Sequence, residues 1–166
     1  MTVLEYGAGG STTLFSRFTK KWVSIDHDEW WGQKVNKILL ERGLESKAKV
    51  YTVPTDLPYK NGDGTEEQFQ SYINFPKKFE EKYDLIIDDG RARVPVSIAA
   101  LKNNLFQSSS SLLIIHDWQR RKYKPIVNTV GYRVWKKDTV SKRHREKHNL
   151  SKNSRSMVLL IYLQRN

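Results

Sequence analysis

Seven short apolar runs, the first five spaced by longer and mostly helical stretches, leave this chain few ways to fold. They are Thr2–Tyr6, Trp22–Asp26, Lys49–Val53, Asp84–Asp88, Leu112–His116, Val130–Trp135 and Met157–Leu163. The fourth, fifth and seventh are apolar almost throughout, as strands covered on both faces are. Asp28 is placed to cap a helix in which Trp31, Val35, Ile38 and Leu39 share a face, with Gly43 at its stop. Ser11 is placed to cap another carrying Leu14, Phe15 and Phe18, and a third runs from about Val94 to Asn104. Strand alternating with helix through five strands predicts an α/β fold with a parallel, right-handed, doubly wound sheet. The last two strands are joined only by a polar, basic stretch, about 137–156, which predicts an antiparallel pair with a long connection. Between Pro54 and Lys82 lie the turn signals Asn61-Gly62 and Asp63-Gly64 and a short amphipathic piece around Glu66–Phe75. No repeat and no linker divides the 166 residues, so one domain over 1–166 is expected.

Composition removes several classes. With no Cys there is no disulfide framework, no thiolate zinc site and no cysteine nucleophile. No apolar run approaches the ~18 residues of a membrane span. No basic start followed by an apolar stretch resembles a signal peptide, so a cytoplasmic location is the default expectation. The net charge of +11 favours acidic partners, nucleic acid among them. Yet from Lys136 to Arg155 eight Lys and Arg face two acids, so over half of that excess sits in one segment. That stretch has no interleaved aromatic platform, which disfavours nucleic acid. Its His144 and His148 are four residues apart without acidic ligands, a poor metal site.

The first run ends in Glu5-Tyr6-Gly7-Ala8-Gly9-Gly10-Ser11-Thr12 and passes at once into a helical pattern. Glycines there let the backbone turn sharply and come close to a ligand, and Asp26, closing the second strand, is placed to accept ribose hydroxyls. A dinucleotide fingerprint would want a third glycine where Thr12 stands. The pattern Glu5-x-Gly7-x-Gly9-x-Ser11 instead resembles the first motif of class I S-adenosylmethionine (SAM)-dependent methyltransferases, and the resemblance extends over nearly the whole chain. It implies SAM as cofactor and a seven-stranded sheet of order 3-2-1-4-5-7-6 with the last strand antiparallel. It also implies that Glu5, Gly7, Gly9 and Ser11 lie about the methionine moiety, with Asp26 on the ribose. Thr55 and Asp56, after strand three, would then lie near the adenine. That family carries a helical segment before strand one, whereas strand one here begins at residue 2. The expectation is a portion of a longer polypeptide, or a lid lent by a partner subunit.

Two more segments, Asp88-Asp89-Gly90-Arg91-Ala92-Arg93 and His116-Asp117-Trp118-Gln119-Arg120, fall at the carboxyl ends of strands four and five. Open parallel sheets bind ligands at that edge. Methyl transfer to a hydroxyl needs the acceptor positioned and its proton removed. Asp89, His116 and Asp117 are the catalytic candidates. Asp89 and Asp117 resemble the acids that hold Mg or Mn in metal-dependent O-methyltransferases, which implies a divalent cation; His116 next to them offers a general base instead. Arg91, Arg93 and Arg120 are candidates for holding the acceptor. Trp31 reads as core, Trp30 as core or a wall beside the adenine, His27 and Asp28 as a turn and a cap, Asp88 as a strand-end residue. Without Cys, cytosine C5 methylation through a thiolate adduct is excluded. Asp-Asp-Gly-Arg, standing where base N-methylating members carry an Asn/Asp-Pro-Pro-aromatic motif, disfavours that reaction. The acceptor expected is a hydroxyl oxygen of a carbohydrate. The rivals are an RNA ribose or cap O-methyltransferase and a non-catalytic module of the same fold.

Overall fold

The computed structural model describes residues 1–118, 121–127, 133–139 and 157–162, the last two stretches through their backbone. Five strands form a parallel sheet in the order β3-β2-β1-β4-β5. They are β1 (Thr2–Tyr6), β2 (Lys21–Asp26), β3 (Ala48–Thr52), β4 (Leu85–Asp88) and β5 (Leu112–His116). Central β1 pairs with β2 from Thr2↔Lys21 to Tyr6↔Ile25 and with β4 from Val3↔Leu85 to Tyr6↔Asp88. Beyond β5 the backbone pairs antiparallel with β7 (Met157–Tyr162), which pairs in turn with β6 (Arg133–Thr139). The expected sixth run began at Val130, and residues 130–132 lie outside the described set.

Alternation along each strand sorts the side chains onto two faces. Leu4, Tyr6, Val23, Ile25, Ile86, Leu113 and Ile115 face one way and form the larger core with Tyr72, Ile73, Val96 and Ala100. The last four come from α3 (Gln70–Asn74) and α4 (Arg93–Lys102). Val3, Trp22 and Val50 face the other way and pack against Val35 and Leu39 of α2 (Glu29–Glu41). Helix α2 starts where the sequence places it, with the Asp28 carboxylate accepting the Trp31 N–H at 2.9 Å. It ends before Gly43, whose φ of 64° suits a residue without a Cβ.

Helix α1 (Gly10–Phe15) departs from expectation. It is six residues long, its cap position is Gly9, and Ser11 lies inside it. Leu14 and Phe15 are half exposed and Phe18 is 78% exposed, so they do not form the buried face expected of them. The residues that α1 buries are Thr12 and Thr13. Glu5 below draws the Thr12 hydroxyl inward, while the Thr13 hydroxyl turns back to Gly10 O. No helix among the described residues is long and apolar enough to cross a membrane.

Candidate functional site

The turn after β1 is shaped by two contacts that only glycine permits. Gly7 has φ 90° and donates its N–H to Ile25 O at 2.8 Å. A Cβ on Gly7 would stand 2.7 Å from the Cα of Gly90 in the turn after β4. A Cβ on Gly90 would stand 2.9 Å from the Tyr6 carbonyl carbon. The two turns therefore touch backbone to backbone, and that contact brings the β1 and β4 tips to one place. Gly9 is different. Its φ of 174° is open to any residue, and a Cβ there would meet nothing within 4 Å. Its missing side chain leaves space in the cleft, where a ligand can approach the main chain.

Glu5 is completely buried beneath this turn. Its carboxylate accepts from the Ser11 hydroxyl, from Thr12 Oγ1 at 2.5 Å, from Ser24 Oγ at 2.8 Å and from Trp22 Nε1 at 2.9 Å. Burial raises its pKa, and the four donors oppose that rise. Three of these donors meet on Oε2, and the Ser11 hydroxyl is on Oε1. Glu5 thus joins β1, β2 and α1, and it shapes the loop from below, where it was expected to touch a ligand.

Asp26, at the end of β2, ties the two sides of the cleft. Its Oδ2 accepts the Ala8 N–H at 2.9 Å, and its Oδ1 accepts the Asp28 N–H at 3.0 Å and lies 3.3 Å from His27 Nδ1. Burial pushes its pKa up, but His27 and the two amides outweigh that and hold it below the ordinary value. The carboxylate is ionised at neutral pH, and Oδ2 keeps acceptor capacity for a hydroxyl. The cleft above has a volume of about 670 Å³ and is lined by the turn from Gly7 to Ser11, by 26–28, Trp30 and Trp31, and by Asp89–Arg91 and Arg93. That lies within the ~300–1,000 Å³ common for small-molecule sites. Trp31 is fixed by its indole N–H to Ala8 O at 2.7 Å, whereas Trp30 is 67% exposed at the rim.

The β4 and β5 tips meet as expected, around a group that was given another role. Asp89 Oδ1 accepts from Arg93 at 2.9 Å and lies 2.9 Å from His116 Nδ1. Arg93 also lies 3.9 Å from Asp117 Oδ2. The place between the two acids where Mg or Mn was expected is thus taken by the protein's own guanidinium. Among the described residues no group of three metal-ligating side chains gathers. The hydrogen bond from Asp89 raises the His116 pKa above its ordinary value, against the lowering effect of burial. His116 and Asp89 side chains are 38% and 42% exposed, open enough for an acceptor to reach.

Arg93, expected to hold the acceptor, is nine-tenths buried and donates within the protein, to Gly90 O, His116 O and Asp89 O besides the Asp89 carboxylate. Arg91 does line the cleft, with its guanidinium on Gly62 O at 3.0 Å. Arg120 lies outside the described residues. Asp56 is away from the cleft; exposed, it accepts the Ser71 N–H at 2.8 Å and the Ser71 hydroxyl, and so holds the start of α3. Sequence reasoning missed Asp63. Its carbonyl accepts the Ala92 N–H at 2.5 Å, and its carboxylate takes the Tyr123 hydroxyl at 2.9 Å and Lys122 at 2.5 Å. The Asn61-Gly62-Asp63-Gly64 turn signal marked a turn there but nothing about its reach across to β4 and β5. His27, read as a plain turn, lines the cleft beside Asp26 and packs edge-on to Tyr59, ring centroids 5.6 Å apart.

This Rossmann-like architecture recurs in solved structures. TrmN from Thermus thermophilus matches 99% of the chain at TM-score 0.64 and 11% identity, and the chain covers only 44% of that protein. An rRNA methylase from Streptococcus thermophilus matches 98% of the chain, with 87% of its own length covered, at TM-score 0.65 and 12% identity. Geranyl diphosphate methyltransferase, solved in complex with SAM, matches 98% of the chain, with 78% of its own length covered, at TM-score 0.61 and 9% identity. At such identities the likeness establishes the fold, an α/β Rossmann-like arrangement shared with methyltransferases. No protein-family model and no curated protein matches the sequence.

Proposed function

We propose that this chain is a SAM-dependent methyltransferase acting on a hydroxyl oxygen, with a carbohydrate as the acceptor. The observation that carries the reading is the cleft between two lips. One lip is the open glycine turn joined to ionised Asp26; the other is Asp89, hydrogen-bonded to His116. The residues fit the cofactor: Gly9 leaves space beside the main chain, and Asp26 Oδ2 has capacity for a ribose hydroxyl. Bound SAM supplies an electrophilic methyl group on a sulfonium, so the protein's task is to place the acceptor and take its proton.

His116 is the proton acceptor in this reading. The Asp89 carboxylate only accepts hydrogen bonds, so it holds the ring proton on Nδ1 and leaves the lone pair of the neutral ring on Nε2. When Nε2 takes the hydroxyl proton, Asp89 stabilises the resulting imidazolium. Exposed Trp30 and cationic Arg91 at the cleft support a sugar, which binds through aromatic faces and hydrogen-bond donors. The reading includes the seven-stranded order 3-2-1-4-5-7-6 in one domain over 1–166; antiparallel pairing of β7 with β5 supports it. RNA is the second reading, favoured by the rRNA methylase among the similar structures and by the charge of +11.

The test is transfer of labelled methyl from SAM over a panel of glycans, RNAs and phenolics, with and without a chelator. Label should appear in a glycan and be indifferent to chelator. Label in RNA alone moves the acceptor to the second reading, and no label anywhere with the full-length protein overturns the enzyme.

A further inference from the structure

The ladder between β4 and β5 ends at Asp88↔Ile115. Past it the carbonyls of Asp89, Gly90 and His116 all accept from one side chain, Arg93. Nε reaches Gly90 O at 3.1 Å, one terminal nitrogen reaches His116 O at 2.5 Å, and the other reaches Asp89 O at 3.2 Å and Asp89 Oδ1 at 2.9 Å. A guanidinium has five N–H donors in a rigid fork, so four of them bind the two strand tips together. The Tyr123 ring lies 5.6 Å from the guanidinium carbon, and its hydroxyl donates to Asp63. Asp63 also accepts the N–H of Ala92, the residue before Arg93, which sits at φ 50° in the left-handed region. The buried cation is neutralised by Asp89, with Asp117 at 3.9 Å.

We propose that Arg93 is a positioning residue: it splices the β4 and β5 tips where their ladder ends and fixes the Asp89 carboxylate that orients His116. The inference rests on the reading of His116 as proton acceptor. It assigns Arg93 no contact with SAM or acceptor. Arg93 Nη2 and His116 Nδ1 share one oxygen, Asp89 Oδ1, so removing the guanidinium releases that carboxylate to rotate away from Nδ1. Lysine cannot replace it, because one ammonium cannot span three carbonyls and a carboxylate in a fixed plane.

Nitrogen-15 spectra of histidine-labelled protein test this without requiring turnover. At alkaline pH, where the rings are neutral, His116 (assigned by its loss in His116→Gln) should carry its proton on Nδ1. In Arg93→Ala at least half of the signal should move to the Nε2-protonated form that an unconstrained histidine side chain prefers, with Arg93→Lys between the two. A His116 tautomer unchanged in both variants overturns the proposal. Should Arg93→Ala not fold, Arg93→Lys carries the same test, and an unaltered tautomer there counts equally against it. In the methyl-transfer assay, kcat of Arg93→Ala should fall on the order of 100-fold, the scale of a ~1 Å misplacement. Acceptor KM should stay within about threefold, and added guanidinium ion should restore part of kcat. A raised acceptor KM with kcat retained would make Arg93 an acceptor ligand instead. If the wild-type protein transfers no methyl group, the functional reading fails, while the tautomer result still decides the splice.

Discussion

Replacing Asp88 by Asn should stabilise the protein, by an amount that depends on pH in a defined way. Asp88 ends β4 wholly buried beneath the two touching turns. Its Oδ2 accepts the Ser97 hydroxyl at 2.6 Å, and its Oδ1 has no hydrogen-bond partner among the described residues. Burial pushes its pKa up from 3.8 to about 8, with Ser97 and Arg93 lowering it only in part. The folded chain therefore keeps the proton over a range in which the unfolded chain has lost it. Stability falls as pH rises from the unfolded value near 4 to the folded value near 8, and then levels off. At neutral pH the gap of about three pH units, at ~1.36 kcal/mol each, sets an upper bound of ~4 kcal/mol. Asn has the shape of the protonated acid and cannot ionise, so Asp88→Asn should recover about 2–4 kcal/mol at pH 7 and nearly nothing at pH 4. Urea titrations of both proteins at pH 4, 6, 7 and 9 measure this difference directly. A stability difference that is constant with pH, or an Asn variant weaker than wild type at pH 7, would refute the reasoning.

The glycines of the first turn should separate fold from ligand. Gly7→Ala meets the Gly90 backbone at a φ forbidden to alanine, so a loss of about 3 kcal/mol or more in thermal or urea unfolding is expected. Gly9→Ala should melt within a degree or two of wild type yet bind SAM at least tenfold more weakly, because its methyl group enters the cleft alone. Methyl transfer should rise with pH on an acid limb whose midpoint lies above 6.5, since His116 must be neutral to accept a proton and Asp89 raises its pKa. In Asp89→Asn that limb should move to lower pH with a reduced plateau; a pH profile unmoved by this change would remove His116 from the mechanism.

The parallel sheet and the cleft were legible because local signals and tertiary demands agree there. Asp28 caps α2 and Gly43 ends it as any helix of that composition would, and the apolar runs Asp84–Asp88 and Leu112–His116 pair as parallel strands from Leu85↔Leu112 to Asp88↔Ile115. The cleft at the glycine turn and Asp26 follows from backbone geometry that the sequence spells out. Legibility fails where a side chain's partner is set by the third dimension. Glu5 reads like a ligand contact, but the hydroxyls and indole on its carboxylate come from two other elements, α1 and β2. Arg93 reads like a cation placed to hold an acceptor; the end of the β4–β5 ladder, invisible in sequence, is where its guanidinium is engaged instead. Asp56 lies in a long connection whose path no spacing fixes, and it went to Ser71 instead of the cleft. The Leu14, Phe15 and Phe18 pattern suggested a buried helix face, yet the buried carboxylate of Glu5 holds the opposite side of α1 inward.

The central claim is that the cleft over Gly9 and Asp26 takes a sulfonium nucleoside, and calorimetric titration of the intact protein with SAM tests it most directly. A single site per chain is expected. Asp26→Asn should weaken it by about 10- to 100-fold, the ~1.5–3 kcal/mol of a hydrogen bond to a charged acceptor, with its thermal melt still cooperative. Binding that Asp26→Asn and Gly9→Ala both leave untouched, or no binding of SAM at all by the folded protein, would contradict the account.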